Sequence, residues 1–379
     1  MTQARTFLAA ALAALIAVPA LADNPRPDGL APLGPPPNPS DNPTTPEKVE
    51  LGKMLFFDPI LSGNNGMPCS ACHLPEAGWA VQDKISFGYP GTTHWRNSQT
   101  IVNSAYYSKL FWAGASKSLE AQARSAARGG VAGNGEDDMM EARLAFVPEY
   151  RTRFNEVFGD TYPLVRHAYM AIAAFQRTIV QTDTPFDEYM RGDDDALTFQ
   201  QKRGLELFAG KANCIACHTG PLLSDEQYYN TGVPPYDGWE TDPLAQITFR
   251  FELYAKGSTE ELYRNTKDDP GLYFRSKDKN HLGKFRTPSL RYTKYTFPYM
   301  HNGMIETLRD VVVFYNEGGG TNEFAATKSD LIKPLGLTEP EIDDLVAFLD
   351  SLSGEEILIE QPDIPEMEPL PAPDAMWQN

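Results

Sequence analysis

The alternation of apolar and polar positions predicts helices almost wherever it predicts anything. Leu164, Ala168, Ile172, Phe175 and Ile179 recur at steps of three and four, as one face of an amphipathic helix does. Near the end, Thr338-Glu339-Pro340 caps another helix, with Ile342, Leu345, Val346, Leu349 and Leu352 as its apolar stripe and Gly354 as its stop. Two shorter segments, VELGKMLFF at 49–57 and QKRGLELF at 201–208, are a weak internal repeat with Gly, Leu and Phe at matching places. Strand patterns are few, so the predicted fold is mainly α with a few short strands. The ends differ in kind: residues 24–46 and 361–379 are rich in Pro and polar residues and read as an extended arm and a loose tail. The polar run Asp193–Ala196 makes the best boundary between two halves.

The start of the chain belongs to none of this. Arg5, the Ala- and Leu-rich run after it and Ala20-Leu21-Ala22 read as a Sec-type signal peptide, residues 1–22, cleaved near Ala22. The run is too short and alanine-rich for a membrane span, and no other stretch approaches spanning length. Export to the periplasm is therefore expected. Residues 1–22 carry one Arg and no acid, so the net charge of −18 becomes −19 in the mature protein. So acidic a chain excludes nucleic acid and anionic membrane as natural partners and leaves basic proteins open.

Export sharpens the question raised by the four cysteines. In an oxidising compartment four cysteines ordinarily make two disulfides. Here they form two copies of one motif, Cys69-x-x-Cys72-His73 and Cys214-x-x-Cys217-His218. That is the attachment signature of c-type haem: two thiols bond the porphyrin and the adjacent His takes an axial position on iron. A redox dithiol needs no His, and a zinc site needs further Cys or His at ligand spacing. Two covalently bound haem c groups are expected.

The motifs begin 145 residues apart. Around them stand HWRNSQTIVN at 94–103, FWAG at 111–114, PFDEYMRGD at 185–193, FRTPSLR at 285–291, FPYMHNG at 297–303 and FYNEGGG at 314–320. This ordered set resembles the bacterial di-haem cytochrome c peroxidase and MauG family, over roughly residues 45–355. The resemblance implies two cytochrome c-like domains, at 48–191 and 192–356, after an arm at 23–47 and before a tail at 357–379. It also implies a peroxide-reactive first haem, an electron-transfer second haem and an electron relay between them at Trp112. A calcium ion between the domains would be held by Asn97 and by the carbonyls of Thr296 and Pro298.

The resemblance is most informative opposite each proximal His. For the second haem it puts Tyr315 where the peroxidases carry a Met, as in the MauG branch; Met300 and Met304 compete for the position. For the first haem, SFGYPG puts Tyr89 where resting peroxidases carry a removable His. An open distal face is expected there, with His94 the alternative ligand. Gln122 matches a distal-pocket residue. The family's distal acid falls on Ala132, so Glu136 is the nearest replacement, with Asp137 competing and Arg124 and Arg128 able to lie on that face. His301 resembles a hydrogen-bonding residue near the second haem; His167 and His281 read as structural. Ala212 and Asn213 stand before Cys214, where MauG carries a hole-relaying Trp. The implied activity is oxidation by hydrogen peroxide. The electron source is a small periplasmic carrier, cytochrome c or cupredoxin, or else a residue of a protein substrate. A di-haem electron carrier without peroxidase activity is the alternative.

Overall fold

The computed structural model describes residues 26–367, so the expected signal peptide lies outside the described residues. Twelve α-helices, eight short 3₁₀ helices and one two-stranded sheet make up the regular structure of these residues. The first half contains α1 (Pro46–Phe57), α2 (Leu119–Arg128), α3 (Asp137–Ala145), α4 (Pro148–Phe158) and α5 (Val165–Gln176). Then follow α6 (Pro185–Arg191), α7 (Phe199–Ala209), α8 (Pro243–Ala255), α9 (Glu260–Asn265), α10 (Tyr273–Ser276), α11 (Leu308–Asn316) and α12 (Glu339–Ser351). Strands β1 (Tyr228–Tyr229) and β2 (Phe285–Arg286) pair antiparallel, Tyr228 opposite Arg286. Mainly helical character is as the sequence predicts.

The internal repeat has a steric reason. Helix α1 crosses α5 at Gly52, where any Cβ would overlap the Ala171 carbonyl. Helix α7 crosses α12 at Gly204, where a Cβ would overlap the Asp344 carbonyl. Each half thus brings its opening and closing helices into backbone contact at one glycine, and aromatic rings fill the space beside the crossing. Phe56 and Phe175 meet at 5.4 Å in the first core, and Phe208 and Phe348 at 5.1 Å in the second. The last helix starts as predicted: Thr338 and Glu341 form a reciprocal capping box. It ends at Ser351, three residues before Gly354.

Three segments fall elsewhere than the composition implied. Helix α6, placed by its position before the polar linker in the first domain, packs Phe186 and Tyr189 into the second core. The N-terminal arm is tied down. Leu30 packs in the second core and Leu33 N donates to Asp187 Oδ1 at 3.0 Å, while Asn42 Nδ2 donates to Glu120 Oε1 in the first half at 2.7 Å. Beyond the last helix the chain returns to the first half. Ile357, Ile359 and Ile364 pack on the first core, and Trp79 Nε1 donates to the Ile357 carbonyl at 2.8 Å. Arm and tail therefore strap the halves in opposite directions. A buried pair adds to this frame: Arg291 Nη1 donates to Asp187 Oδ2 at 2.8 Å, with both side chains almost wholly enclosed. Removing either partner would leave an uncompensated buried charge, which costs about 3–5 kcal/mol.

Candidate active site

Both haem motifs adopt the same local geometry. Cys69–Ala71 and Cys214–Ala216 each form one turn of 3₁₀ helix. Its tight path brings His73 N to the Cys69 carbonyl at 3.1 Å and His218 N to the Cys214 carbonyl at 2.9 Å. Each His then uses Nδ1 on a backbone carbonyl, His73 on Trp79 at 3.1 Å and His218 on Leu223 at 3.0 Å. A carbonyl can only accept, so Nδ1 holds the proton and Nε2 is left free as a ligand. Burial lowers the pKa of both imidazoles and keeps them neutral, as metal ligation requires.

The four cysteines are free thiols. Burial pushes Cys69 and Cys214 up to about 12 and Cys72 to about 11, and raises Cys217. No disulfide joins them, so all four remain available for attachment.

The two motifs open onto one continuous cavity of about 880 Å³. Trp112 lines it, held by two bonds: Nε1 donates to the Asn97 carbonyl at 2.8 Å, and its own carbonyl accepts from Arg286 N at 2.9 Å. Its ring meets His301 edge-on at 6.4 Å, and His301 stacks on Phe285 at 3.8 Å. His301 is thus held by ring contacts on two sides. Asn97, Thr296 and Pro298 also line the cavity. Asn97 Nδ2 donates to the Asp83 carbonyl at 2.9 Å, which turns Oδ1 away from that contact.

Opposite the proximal histidines the halves differ. Tyr315, on α11, lines the cavity near Cys214 and Cys217; burial pushes its phenol up to about 12, against a hydrogen bond to Thr231. Met300 lines the cavity too, whereas Met304 is turned outward, its sulfur accepting from Asp237 N at 3.4 Å. On the first side the wall from α2 and the loop after it is mostly small residues, among them Ala123, Ala126, Ala127, Gly130, Ala132 and Gly133, together with Leu119, Gln122 and Val131.

The acids are not there. Glu136 stands at the N-cap of α3 with its side chain 72% exposed, paired at 3.4 Å with Arg128 and outside the cavity lining. Asp137 takes Arg128 at 2.9 Å and Arg124 at 3.7 Å on the same outer surface. The geometry therefore does not bring Glu136 to the first haem motif, because α3 starts where the chain has already left the cavity. The carboxylates in the lining are Asp58 and Glu252. Asp58 is engaged by Tyr150 Oη at 2.7 Å and Ile60 N at 2.8 Å.

One residue is closer to the site than its sequence position implied. His94 is half-buried in the cavity wall; desolvation, Arg96 and nearby His73 push its imidazole down to about 4. Tyr89 lies outside the lining, its N–H on the Val131 carbonyl at 2.8 Å. His167 pairs with Asp160 at 2.6 Å and His281 with Ser276 at 2.9 Å, both away from the cavity.

Known proteins share this arrangement. The chain is 57% identical over 345 residues to cytochrome-c peroxidase IdrP1 of Denitromonas iodatirespirans, covering 90% of this chain and 91% of the relative. It is 34% identical over 330 residues to methylamine utilization protein MauG of Methylorubrum extorquens, covering 87% and 84%. The profile of the di-haem cytochrome c peroxidase family matches residues 46–195. The chain belongs to the di-haem cytochrome c peroxidase and MauG family. The solved structure of a MauG-like protein associated with microbial copper homeostasis superposes with a TM-score of 0.72 at 32% identity, over 87% of this chain and 95% of that one.

Membership makes this di-haem peroxidase a haem-dependent oxidoreductase with a cytochrome c-like fold in each half. The chain's own residues fit two c-type haems: paired free thiols, two imidazoles presenting Nε2, and a shared, mostly apolar cavity. No helix among the described residues is long and apolar enough to cross a membrane.

Proposed function

We propose that this di-haem peroxidase reduces hydrogen peroxide in its first half, draws electrons through its second, and works in the periplasm after export on residues 1–22. The observation that carries this reading is the single cavity lined by both CxxCH turns, with Trp112 in its wall and fixed at ring nitrogen and backbone. When bound, the haems supply the redox chemistry, and the protein supplies ligation, electron path and access.

The roles of the residues follow from position. His73 and His218 present Nε2 to iron from the motif side, and the carbonyls of Trp79 and Leu223 hold their tautomers. The small residues of α2 and its following loop leave room for peroxide on the first side, and Gln122 can hydrogen-bond it there. Tyr315 would supply a second protein ligand to the haem that Cys214, Cys217 and His218 would hold. A phenolate is a hard anionic donor that lowers the potential of its iron and favours higher oxidation states. We also assign Asn97, Thr296 and Pro298 to one calcium ion, through an amide oxygen and backbone carbonyls. Among the described residues no group of three or more His, Cys, Asp or Glu could hold a metal, so such a site would rely on neutral oxygens and water.

For the electron source we favour a small periplasmic carrier, the kind of partner that the name of the 57% identical relative, a cytochrome-c peroxidase, implies. Tyr315 in the cavity wall favours a second reading, MauG-like oxidation of a residue on a partner protein. Trp112→Phe tests the common element. Both haem spectra should survive, while peroxide-driven oxidation of an external donor slows roughly tenfold or more, as for a barrier raised by at least about 1.4 kcal/mol. Full activity in that variant would reduce Trp112 to a packing residue.

A further inference from the structure

Aromatic rings lead away from the first haem motif in a direction that the bridge through Trp112 does not use. His94 and Trp95 both line the cavity, stacked on each other with ring centroids 5.5 Å apart and planes 27° apart. Trp95 meets Phe274 edge-on at 6.2 Å, and Phe274 shares a separate small core with Trp239, Phe249 and Leu253. Trp239 meets Phe249 at 5.4 Å, and Trp95 and Trp239 line the same small void of about 20 Å³. That is room for roughly one water molecule. Trp239 is buried, with 9% of its surface exposed, so the series runs from the cavity wall to just beneath the surface.

The electrostatics suit electron passage. Trp95 Nε1 is buried with no hydrogen-bond partner among the described residues, so no protein acceptor is in place to take the indole proton of an oxidised Trp95. The Arg96 guanidinium lies 5.5 Å from the Trp95 ring, a contact that by itself disfavours removing an electron. Asp269 offsets that charge through a two-pronged pair at 2.5 and 2.9 Å.

We propose that Trp95 and Trp239 form a second electron route, joining the first haem to the protein surface without passing through the second. The proposal rests on the reading that peroxide reacts in the first half. Each peroxide takes two electrons and two protons and becomes two waters. On this route an electron leaves Trp95 for the oxidised haem site and is replaced from Trp239, which is refilled by an external one-electron donor. Without a donor, both electrons taken by one peroxide are drawn from Trp239 in two successive steps, and water then adds to its indole with loss of two protons, which leaves one added oxygen on the side chain.

The test adds peroxide to diferric holoprotein without donor, follows the Soret band of the first haem, and weighs the peptides carrying Trp95 and Trp239. Oxygen adducts are expected on Trp239 in the wild type and should fall roughly tenfold in Trp95→Phe while the Soret response persists. In Trp239→Phe the adduct should build up on Trp95, an independent check should Trp95→Phe fold poorly. A Trp239 adduct unchanged in Trp95→Phe means direct attack by free peroxide and overturns the route. So does a wild type whose first haem reacts but leaves Trp239 intact. A first haem that does not respond to peroxide removes the proposed function itself, and the route with it.

Discussion

The two halves of this di-haem peroxidase share one plan for holding a haem and differ in what they set against it. Each brings an opening and a closing helix together at a glycine, each turns Cys-x-x-Cys-His through a 3₁₀ turn, and each gives Nδ1 of its His to a carbonyl. Across the cavity the likeness ends. The first half presents alanines and glycines from α2 and the following loop, the second a tyrosine from α11. On the proposed reading, attachment is a property of the common scaffold, while the reactivity of each haem would be set by residues that the internal repeat does not share.

The most damaging way to probe the shared part is to remove a thiol from one motif at a time. Cys69→Ala and Cys214→Ala should each halve the covalent haem measured by the pyridine haemochrome assay, because each turn serves its own haem. Unchanged haem content in either variant would break the assignment for that half.

Tyr315→Phe sharpens the difference between the halves. It keeps the ring and removes the oxygen, so the fold should persist and the first haem should still react with peroxide. The second haem should become high-spin or recruit Met300, which lines the same cavity, and its potential should rise. Low-temperature EPR and a redox titration read both effects. An unchanged low-spin signal would move the ligand to Met300 from the start and make the halves differ in donor type only.

How much of this was legible beforehand follows the range of the interactions. The CxxCH turns, the two opening helices and the Thr338 cap are local, and the sequence shows them directly. The glycine of the repeat was visible, but its reason was not, since Ala171 and Asp344 lie more than a hundred residues away from Gly52 and Gly204. Asp187 and Arg291 stood in two separate motifs that gave no sign of being partners. The tail was read as loose from its prolines, yet Ile357, Ile359 and Ile364 pack on the first core. Glu136 fell within reach when counted along the chain and out of reach in space, because the loop after α2 leaves the cavity before Glu136. Trp95 and Trp239 belong to segments 144 positions apart, and only the packing of α8 brings them together.

The glycine crossings allow a direct test of how closely the scaffolds match. Gly52→Ala and Gly204→Ala each force a methyl into a backbone carbonyl, and overpacking of this kind costs about 1–3 kcal/mol. For a chain of this size that lowers Tm by about 1–1.5 °C per kcal/mol. Similar losses in the two variants, measured by thermal unfolding, support equivalent crossings. A loss confined to one would show that the other half relieves the contact by shifting its helix.

The smallest effect concerns the helices α8 to α10, an elaboration of the second half to which nothing in the first corresponds. Asp268 anchors it: Oδ2 accepts from Glu323 N at 2.6 Å, yet burial, with Glu323 and Asp269 close by, pushes the carboxyl up to about 6. The folded protein therefore holds a proton on Asp268 at pH values where the unfolded chain, with an ordinary carboxyl pKa of about 3.9, has released it. The stabilisation is fully present below the unfolded pKa and is lost as the pH rises through about 6. Above that, a buried carboxylate faces two others, and the segment should open more readily. Amide exchange in α9, corrected for the intrinsic pH dependence of exchange, should lose protection between pH 5 and 7, while α1 and α5 of the first half do not. In Asp268→Asn the side chain carries no titrating proton, so the pH dependence in α9 should flatten. If α9 and α1 respond to pH alike in the wild type, the elaboration is not separately stabilised, and the halves unfold as one unit.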